Sequence, residues 1–132
     1  LFPLLTALEN VTYPMELSGV KGKAAREKAR QLLELVGLPQ TIAGQFPKMM
    51  SGGEQQRVAI ARALASDAKV ILADEPTGNL DSENSQNIID ILLRLAHEEG
   101  RCVVLITHDN EIAAQADRVF HLKDGRIVSG QT

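Results

Sequence analysis

The spacing of apolar residues changes along this chain and separates a helical first half from a mixed second half. Residues 21–36 have the composition of a strong helix and are followed by glycine and then proline, which predicts a long helix that ends there. Thr6 is suited to cap a shorter helix through Val11, and Pro14 is expected to break or bend it. A further helix is predicted over residues 51–65.

The second half combines short apolar runs with a helical pattern. Residues 70–73 and 102–106 are continuous apolar runs, which predict strands that are buried on both faces. Residues 82–99 carry apolar side chains at helical spacing, so the order strand, helix, strand predicts a parallel sheet with a right-handed crossover. The dipeptide at 124–125, Asp-Gly, lies between two further apolar runs and predicts a hairpin turn.

Composition restricts the class of protein without identifying it. The chain has 132 residues, of which 44% are hydrophobic and 23% charged, as in ordinary globular domains. Its formal net charge of -3 does not favour nucleic-acid binding. No stretch approaches the roughly 20 apolar residues of a membrane-spanning helix. Cys102 is the only cysteine, so it has no internal disulfide partner, which fits a reducing compartment.

Polar side chains follow both predicted strands of the parallel sheet. Asp74 and Glu75 come after the first strand, and His108 comes after the second. In such sheets ligands bind at the carboxyl ends of the strands. Asp74 has the oxygen ligands that Mg²⁺ prefers. Glu75 is suited to deprotonate or orient a water molecule, and His108 is suited to form a hydrogen bond to a phosphate or to that water. Alternatively, the two carboxylates cap the next helix, and His108 has a structural role.

The run Ser51-Gly52-Gly53-Glu54 has two compatible interpretations. Serine followed three residues later by glutamate is a capping box for the next helix. A cap does not require two glycines, each of which costs about 1 kcal/mol relative to alanine inside a helix. Glycines are explained if another group approaches the backbone closely, and the free amides of a helix N-terminus suit phosphate.

Together these segments resemble the motifs of ABC-type ATPases, in the order of that family. Residues 50–64 resemble its signature motif and helix, and residues 70–77 its Walker B strand with the catalytic glutamate. Residues 78–81 resemble the D-loop and residues 107–109 the switch-histidine loop. The signature ending in glutamate and the run over 73–81 are most similar to the lipoprotein-release, macrolide-export and antimicrobial-peptide-export subgroup.

The resemblance implies an α/β fold with a P-loop NTPase-like parallel sheet, flanking helices and an α-helical subdomain. Residues 1–65 would form the helical subdomain with the signature helix, and residues 66–132 the C-terminal half of the ATPase core. The phosphate-binding loop G-x-x-x-x-G-K-S/T does not occur in the sequence. We therefore expect a C-terminal fragment without Walker A and the N-terminal strands. Exposed strand edges, bare apolar surface and no ATP turnover by the fragment alone should follow.

The resemblance also implies roles for individual residues. ATP and Mg²⁺ would be the cofactors, with Asp74 assisting the metal, Glu75 as general base and His108 on the γ-phosphate. Asp81, in the D-loop, would cross a dimer interface and couple two sites. The signature residues would bind the γ-phosphate of ATP held by the opposite subunit: Ser51, Gly52, Gly53 and Glu54.

The family relationship implies partners as well. A second ATPase subunit would form a head-to-tail dimer around two ATP molecules, and transmembrane permease subunits would receive the mechanical stroke. The subunit would lie in the cytoplasm, peripheral on the inner face of the membrane, without a nucleic-acid partner. A regulatory or mechanical ABC ATPase that signals to a membrane partner, and a non-transport ABC ATPase acting on DNA or ribosomes, are alternatives. Basic surfaces and zinc-bearing insertions are common in the last class, whereas this sequence has a slightly acidic net charge and no CxxC pair.

Overall fold

A computed structural model describes residues 1–131, with helices in the first half and two small sheets in the second. Two 3-10 turns, Gln40–Gly44 and Pro47–Met49, precede the third helix. The helices and strands in chain order are α1 (Ala7–Leu17), α2 (Gly22–Leu35), α3 (Gly52–Ala65), β1 (Val70–Asp74), α4 (Ser82–His97), β2 (Cys102–Ile106), α5 (Asn110–Ala113), β3 (Val119–Lys123) and β4 (Arg126–Gln131).

Helix α1 begins where the sequence predicts and ends later. The Thr6 side chain accepts a hydrogen bond from the Glu9 amide, and the Glu9 carboxylate accepts one from the Thr6 amide, so a capping box forms. The predicted end at Val11 and the break at Pro14 are wrong, because α1 continues through Pro14 to Leu17. Proline removes one helical donor, and packing of buried residues on both sides of it keeps the helix intact.

Helices α1, α2 and α3 pack on one another to form the first half of the molecule. In α2, Ala25, Ala29 and Leu33 are fully buried and recur every four residues, which places them on one face. The lysines and arginines of α2 lie mostly on its exposed side. The helix predicted over residues 21–36 is confirmed with small shifts at its ends.

Strands β1 and β2 form a parallel pair in which Val70 lies opposite Cys102 and Asp74 opposite Ile106. Helix α4 connects them, as predicted. The expectation that both faces of these strands are buried is wrong. Ile71 is 5% exposed, whereas its neighbour Leu72 is 77% exposed. Alternate residues of a strand point to opposite faces, and no element of the described chain covers the face that carries Leu72.

Strands β3 and β4 form an antiparallel hairpin whose turn confirms the expectation for Asp124 and Gly125. Both turn residues have positive φ, 50° and 73°. This is the left-handed backbone that a two-residue hairpin turn requires, and aspartate and glycine tolerate it well. Most side chains of the hairpin are exposed, including Phe120 and Leu122.

A single apolar cluster runs from α1 to α5. Val58 and Leu64 of α3 belong to it, as do Ile71 of β1 and Ile88 of α4. Because this cluster links the helical and strand-containing parts, the division into residues 1–65 and 66–132 stays a prediction. In the part of the chain that the structure describes, no helix is long and apolar enough to cross a membrane.

Candidate active site

The carboxyl ends of β1 and β2 bring Glu75 and His108 into direct contact, as their positions after the two strands predict. Nδ1 of His108 lies 2.7 Å from Oε1 of Glu75. The ring of His108 is largely exposed, and the Glu75 side chain is partly covered. The contact therefore lies at the surface edge of the sheet, where a soluble ligand can reach both groups.

The backbone at Glu75 has an unusual conformation that sets the direction of its side chain. Its φ is 47°, in the left-handed region that residues other than glycine rarely adopt. The Glu75 amide donates to the carbonyl of Ile106 at 2.9 Å, and its carbonyl accepts from the Gly78 amide at 3.2 Å. Such a conformation costs on the order of 1–3 kcal/mol, and it persists because surrounding contacts enforce it.

The proximity of Glu75 changes the acid–base behaviour of His108. The hydrogen bond to Glu75 and the negative charge of that carboxylate raise the pKa of His108 above its usual 6.5, with Asp109 adding a smaller effect in the same direction. Both carboxylates favour the charged imidazolium. His108 is therefore more often a cation and hydrogen-bond donor near neutral pH than an isolated histidine would be.

Glu75 and His108 form part of the wall of a cleft of about 400 Å³ between the strand ends, α4 and α5. Gln86 and Gln115 form another side of this cleft, and the sequence patterns do not reveal them. Nε2 of Gln86 donates to Oε1 of Gln115 at 3.0 Å across 29 positions of sequence, so no local pattern identifies the pair. The cleft is lined by Glu75, Thr77, Gly78, Leu80, Ser82, Ser85, Gln86, Ile89, Thr107, His108, Asp109, Glu111, Ile112 and Gln115.

Asp74, predicted as the metal ligand, is exposed and does not line this cleft. It ends β1 on the same alternating face as Val70 and Leu72, the face that the described chain leaves uncovered. Within residues 1–131, no group of three or more His, Cys, Asp or Glu side chains is arranged to hold a metal. A lone accessible carboxylate fits Mg²⁺, which keeps several waters and binds through one or two carboxylates plus substrate phosphates.

The N-terminus of α3 carries the predicted signature residues. Ser51 Oγ accepts from the Glu54 amide at 3.1 Å, and Glu54 Oε1 accepts from the Ser51 amide at 2.9 Å. This confirms the capping box and occupies the Glu54 carboxylate. Among the described residues, the Gly52 and Gly53 amides have no acceptor, as expected at the start of a helix. Gly52 is exposed and Gly53 is buried, and free amides at an accessible helix N-terminus fit a phosphate oxygen.

The two glycines also have a reason within the chain that the sequence did not reveal. A Cβ atom on Gly53 would lie 2.8 Å from Oδ1 of Asn84, and one on Gly52 would lie 3.2 Å from Cδ2 of Leu80. The absence of side chains thus allows α3 to pack closely against the start of α4. The residues from Ser51 to Glu54 do not line the cleft of Glu75 and His108.

Asp81 is the N-cap of α4. Its Oδ1 accepts from the Asn84 amide at 2.8 Å, which satisfies one of the free donors at the helix start. The side chain is otherwise exposed. Its role at a dimer interface stays a prediction.

Comparison with known proteins connects this geometry to a family. A family description for "ABC transporter" matches residues 1–78. The lipoprotein-releasing system ATP-binding protein of Hyphomonas neptunium is 46% identical over 128 residues, which cover 97% of this chain and 56% of that protein. A macrolide export ATP-binding/permease protein of Aggregatibacter actinomycetemcomitans is 49% identical over 125 residues, which cover 95% of this chain and 19% of that protein. Both names agree with the subgroup that the signature and Walker B segments indicate.

Among solved structures, the chain is similar to an ATP-binding cassette of Methanocaldococcus jannaschii, described as a dimer in a post-hydrolysis state with ADP and Pi. The TM-score is 0.87 at 42% identity, and the match covers 99% of this chain and 58% of that one. The predicted α/β class is confirmed by this likeness. The chain spans little more than half the length of the lipoprotein-releasing relative and of this cassette.

Proposed function

Because this chain belongs to the ABC transporter family, we propose that it supplies the signature, Walker B, D-loop and switch-histidine part of an ATP-hydrolysing transporter subunit. The reaction is hydrolysis of ATP to ADP and phosphate. The observation that carries the proposal is the 2.7 Å contact between Glu75 and His108 at the end of the parallel strands. Side chains 33 positions apart in sequence meet where the fold class binds nucleotides.

The two side chains have complementary tasks in phosphoryl transfer. The Glu75 carboxylate accepts a proton from the attacking water as the new bond to the γ-phosphorus forms and the bond to the ADP oxygen breaks. The His108 imidazolium holds Glu75 through Nδ1, and its exposed ring places the other nitrogen for a phosphate oxygen. Mg²⁺ bound with the nucleotide would neutralise phosphate charge, and Asp74 is the residue of this chain suited to hold it.

The signature residues would act on ATP that another subunit holds. The Gly52 and Gly53 amides would contact the γ-phosphate, with Ser51 and Glu54 keeping the helix start in shape through the capping box. Asp81 is exposed at the start of α4, where it can reach across an interface. The dimeric description of the similar cassette supports pairing of two such subunits.

We further propose that transmembrane permease subunits are the partners of this ATPase. The name of the macrolide-export relative combines ATP-binding and permease functions, which supports such a pairing. The subunit would then be peripheral on the cytoplasmic face of the membrane. The phosphate-binding loop is not among the 132 residues, so by themselves they would not turn over ATP.

A chimera tests the proposed activity directly. The part of the Hyphomonas neptunium relative outside the match would be joined to these 132 residues, and ATP hydrolysis would be measured as phosphate release. We expect activity that Glu75→Gln lowers by about 10²–10⁴-fold, the range for loss of a general base. Glu98→Gln, at the exposed C-terminal end of α4, is the matched control and should not change the rate. Activity that persists in the Glu75→Gln chimera would contradict the proposal.

A further inference from the structure

One face of α3 contacts the segment that follows Glu75. Gly52 and Gly53 lie close to Leu80 and Asn84. One turn later, Gln56 and Arg57 make hydrogen bonds to the same segment. Positions i, i+1, i+4 and i+5 lie on one side of a helix. This side of α3 is therefore its docking face toward the segment after Glu75, within a single chain.

The shorter of these two hydrogen bonds is made by Gln56. Its Nε2 donates to the carbonyl oxygen of Pro76 at 2.7 Å, whereas Arg57 Nη2 reaches Oδ1 of Asn84 at 3.3 Å. Pro76 is buried, and Gln56 is half-buried. A covered carbonyl without a donor costs stability, so the Gln56 side chain and this peptide are held together.

Pro76 is the residue directly after Glu75, and this position gives the bond its significance. On the N-terminal side of Glu75, whose backbone is in the left-handed region, the Glu75 amide donates a hydrogen bond to the Ile106 carbonyl. On the C-terminal side, the next peptide carbonyl is held by Gln56. Rotation about the Glu75 backbone would move the Pro76 peptide away from Gln56, because the two are linked through a single residue.

We propose that Gln56 is a positioning residue that holds the Glu75 carboxylate in its reactive direction by fixing the Pro76 carbonyl to the signature helix. The catalytic part of this inference rests on the proposed function. Through Gln56, the signature helix α3 would support the proposed general base, Glu75, of its own chain. A displacement of α3 would then move the Glu75 segment with it.

The neighbouring glutamine provides a matched control. Gln55 has the same chemistry and lies in the same helical turn, but its Nε2 donates to the carbonyls of Pro47 and Met50, at 3.0 Å and 3.2 Å. It therefore supports the chain before α3 and has no hydrogen bond to the segment after Glu75. Methionine, glutamine and glutamate have similar helix propensities, so exchanges among them leave α3 itself largely unchanged.

The first measurement is amide hydrogen exchange by NMR on the full chain without nucleotide. Gln56→Met and Gln56→Glu both remove the donor, since an ionised carboxylate only accepts. We expect exchange of the Gly78 and Leu80 amides to accelerate about tenfold, the factor for one lost hydrogen bond, and Gln55→Met to leave them unchanged. Equal exchange in wild type and both Gln56 variants would overturn the proposal. Urea unfolding would verify that each variant folds.

The second measurement is the rate of ATP hydrolysis by the chimera carrying the same variants. Misplacement of the base by a fraction of an ångström to one ångström should lower kcat about 10–100-fold with little change in KM. Because Gln56→Glu retains the side-chain shape but not the donor, it should be as slow as Gln56→Met. An unchanged kcat in an active chimera would contradict the positioning role of Gln56 but not the proposed function. An inactive wild-type chimera would contradict the proposed function, while the exchange result would still decide whether Gln56 holds the Glu75 segment.

Discussion

Nδ1 of His108 lies 2.7 Å from Oε1 of Glu75, although 33 positions of sequence separate the two residues. The parallel pairing of β1 and β2 produces this contact, because each residue follows the end of one strand. The Glu75 amide donates to the carbonyl of Ile106, the last residue of β2, and this bond continues the pairing up to the site. The proposed catalytic pair is therefore a direct extension of the sheet.

The contact predicts how His108 titrates. Its pKa is raised above 6.5 mainly by Glu75, so Glu75→Gln, which removes the charge, should lower the pKa of His108 toward that value. Because the folded pKa exceeds the unfolded one, the contact stabilises the fold most below about pH 6.5. This stabilisation is lost as the pH rises through the folded pKa. NMR of the imidazole ring against pH measures the change.

Asp109→Asn should shift the pKa of His108 in the same direction by less than Glu75→Gln, because Asp109 contributes the smaller effect. An unchanged titration of His108 in the Glu75→Gln variant would show that the two side chains are not in contact in solution.

The close packing at Gly53 gives a second prediction. A methyl group there would lie 2.8 Å from Oδ1 of Asn84, so Gly53→Ala requires Asn84 to rotate away from Arg57. We expect a loss of about 1–3 kcal/mol in the free energy of unfolding without nucleotide, measured by urea denaturation. Gly44→Ala is the control, because an added methyl at Gly44 meets no atom within 4 Å.

A double-mutant cycle isolates the energetic cost of the clash between Gly53→Ala and Asn84. In the background of Asn84→Ala, the obstacle is absent, and Gly53→Ala should cost much less than it does alone. If Gly53 were required only for access of a phosphate, Gly53→Ala would not lower the free energy of unfolding in the absence of nucleotide, because alanine is the better helix former. That result would refute a packing role for Gly53.

The sequence predicts those parts of the fold that depend on local chemistry. The N-cap at Thr6, the capping box at Ser51 and the hairpin turn at Asp124 form as predicted, because each is built from residues a few positions apart. The error at Pro14 has the opposite origin, since packing with α2 and α3 overrides the local preference against proline in a helix.

The candidate site shows the same division. The sequence identifies Asp74, Glu75 and His108 as candidate site residues, because the carboxyl ends of parallel strands lie at the same edge of a sheet. Two other contacts could not be predicted from the sequence: the hydrogen bond from Gln56 to Pro76 and the one between Gln86 and Gln115. They join residues 20 and 29 positions apart, through side chains that follow no distinctive pattern. Such contacts depend on how helices dock, which spacing within one helix does not determine.

A third prediction concerns nucleotide binding by the 132 residues alone. Without a phosphate-binding lysine and its glycine-rich loop, the triphosphate loses most of the donors that position it. Calorimetric titration with Mg-ATP should therefore show no binding at micromolar concentrations, whereas the chimera should bind. Micromolar binding by the 132-residue chain would mean that the Gly52 and Gly53 amides and the Glu75 cleft suffice.

The two faces of β1 provide the last prediction, which compares adjacent residues of one strand. Ile71 is 5% exposed and Leu72 is 77% exposed, so truncation of each to alanine removes a similar apolar side chain from opposite environments. Ile71→Ala should lower the free energy of unfolding of the 132-residue chain by about 2–4 kcal/mol through the cavity that it leaves. Leu72→Ala should cost less than about 0.5 kcal/mol, because its side chain already contacts water. Urea denaturation at several protein concentrations measures both. A large loss for Leu72→Ala that grows with protein concentration would show that a second copy covers this face in solution, and a large loss independent of concentration would contradict the exposed face itself.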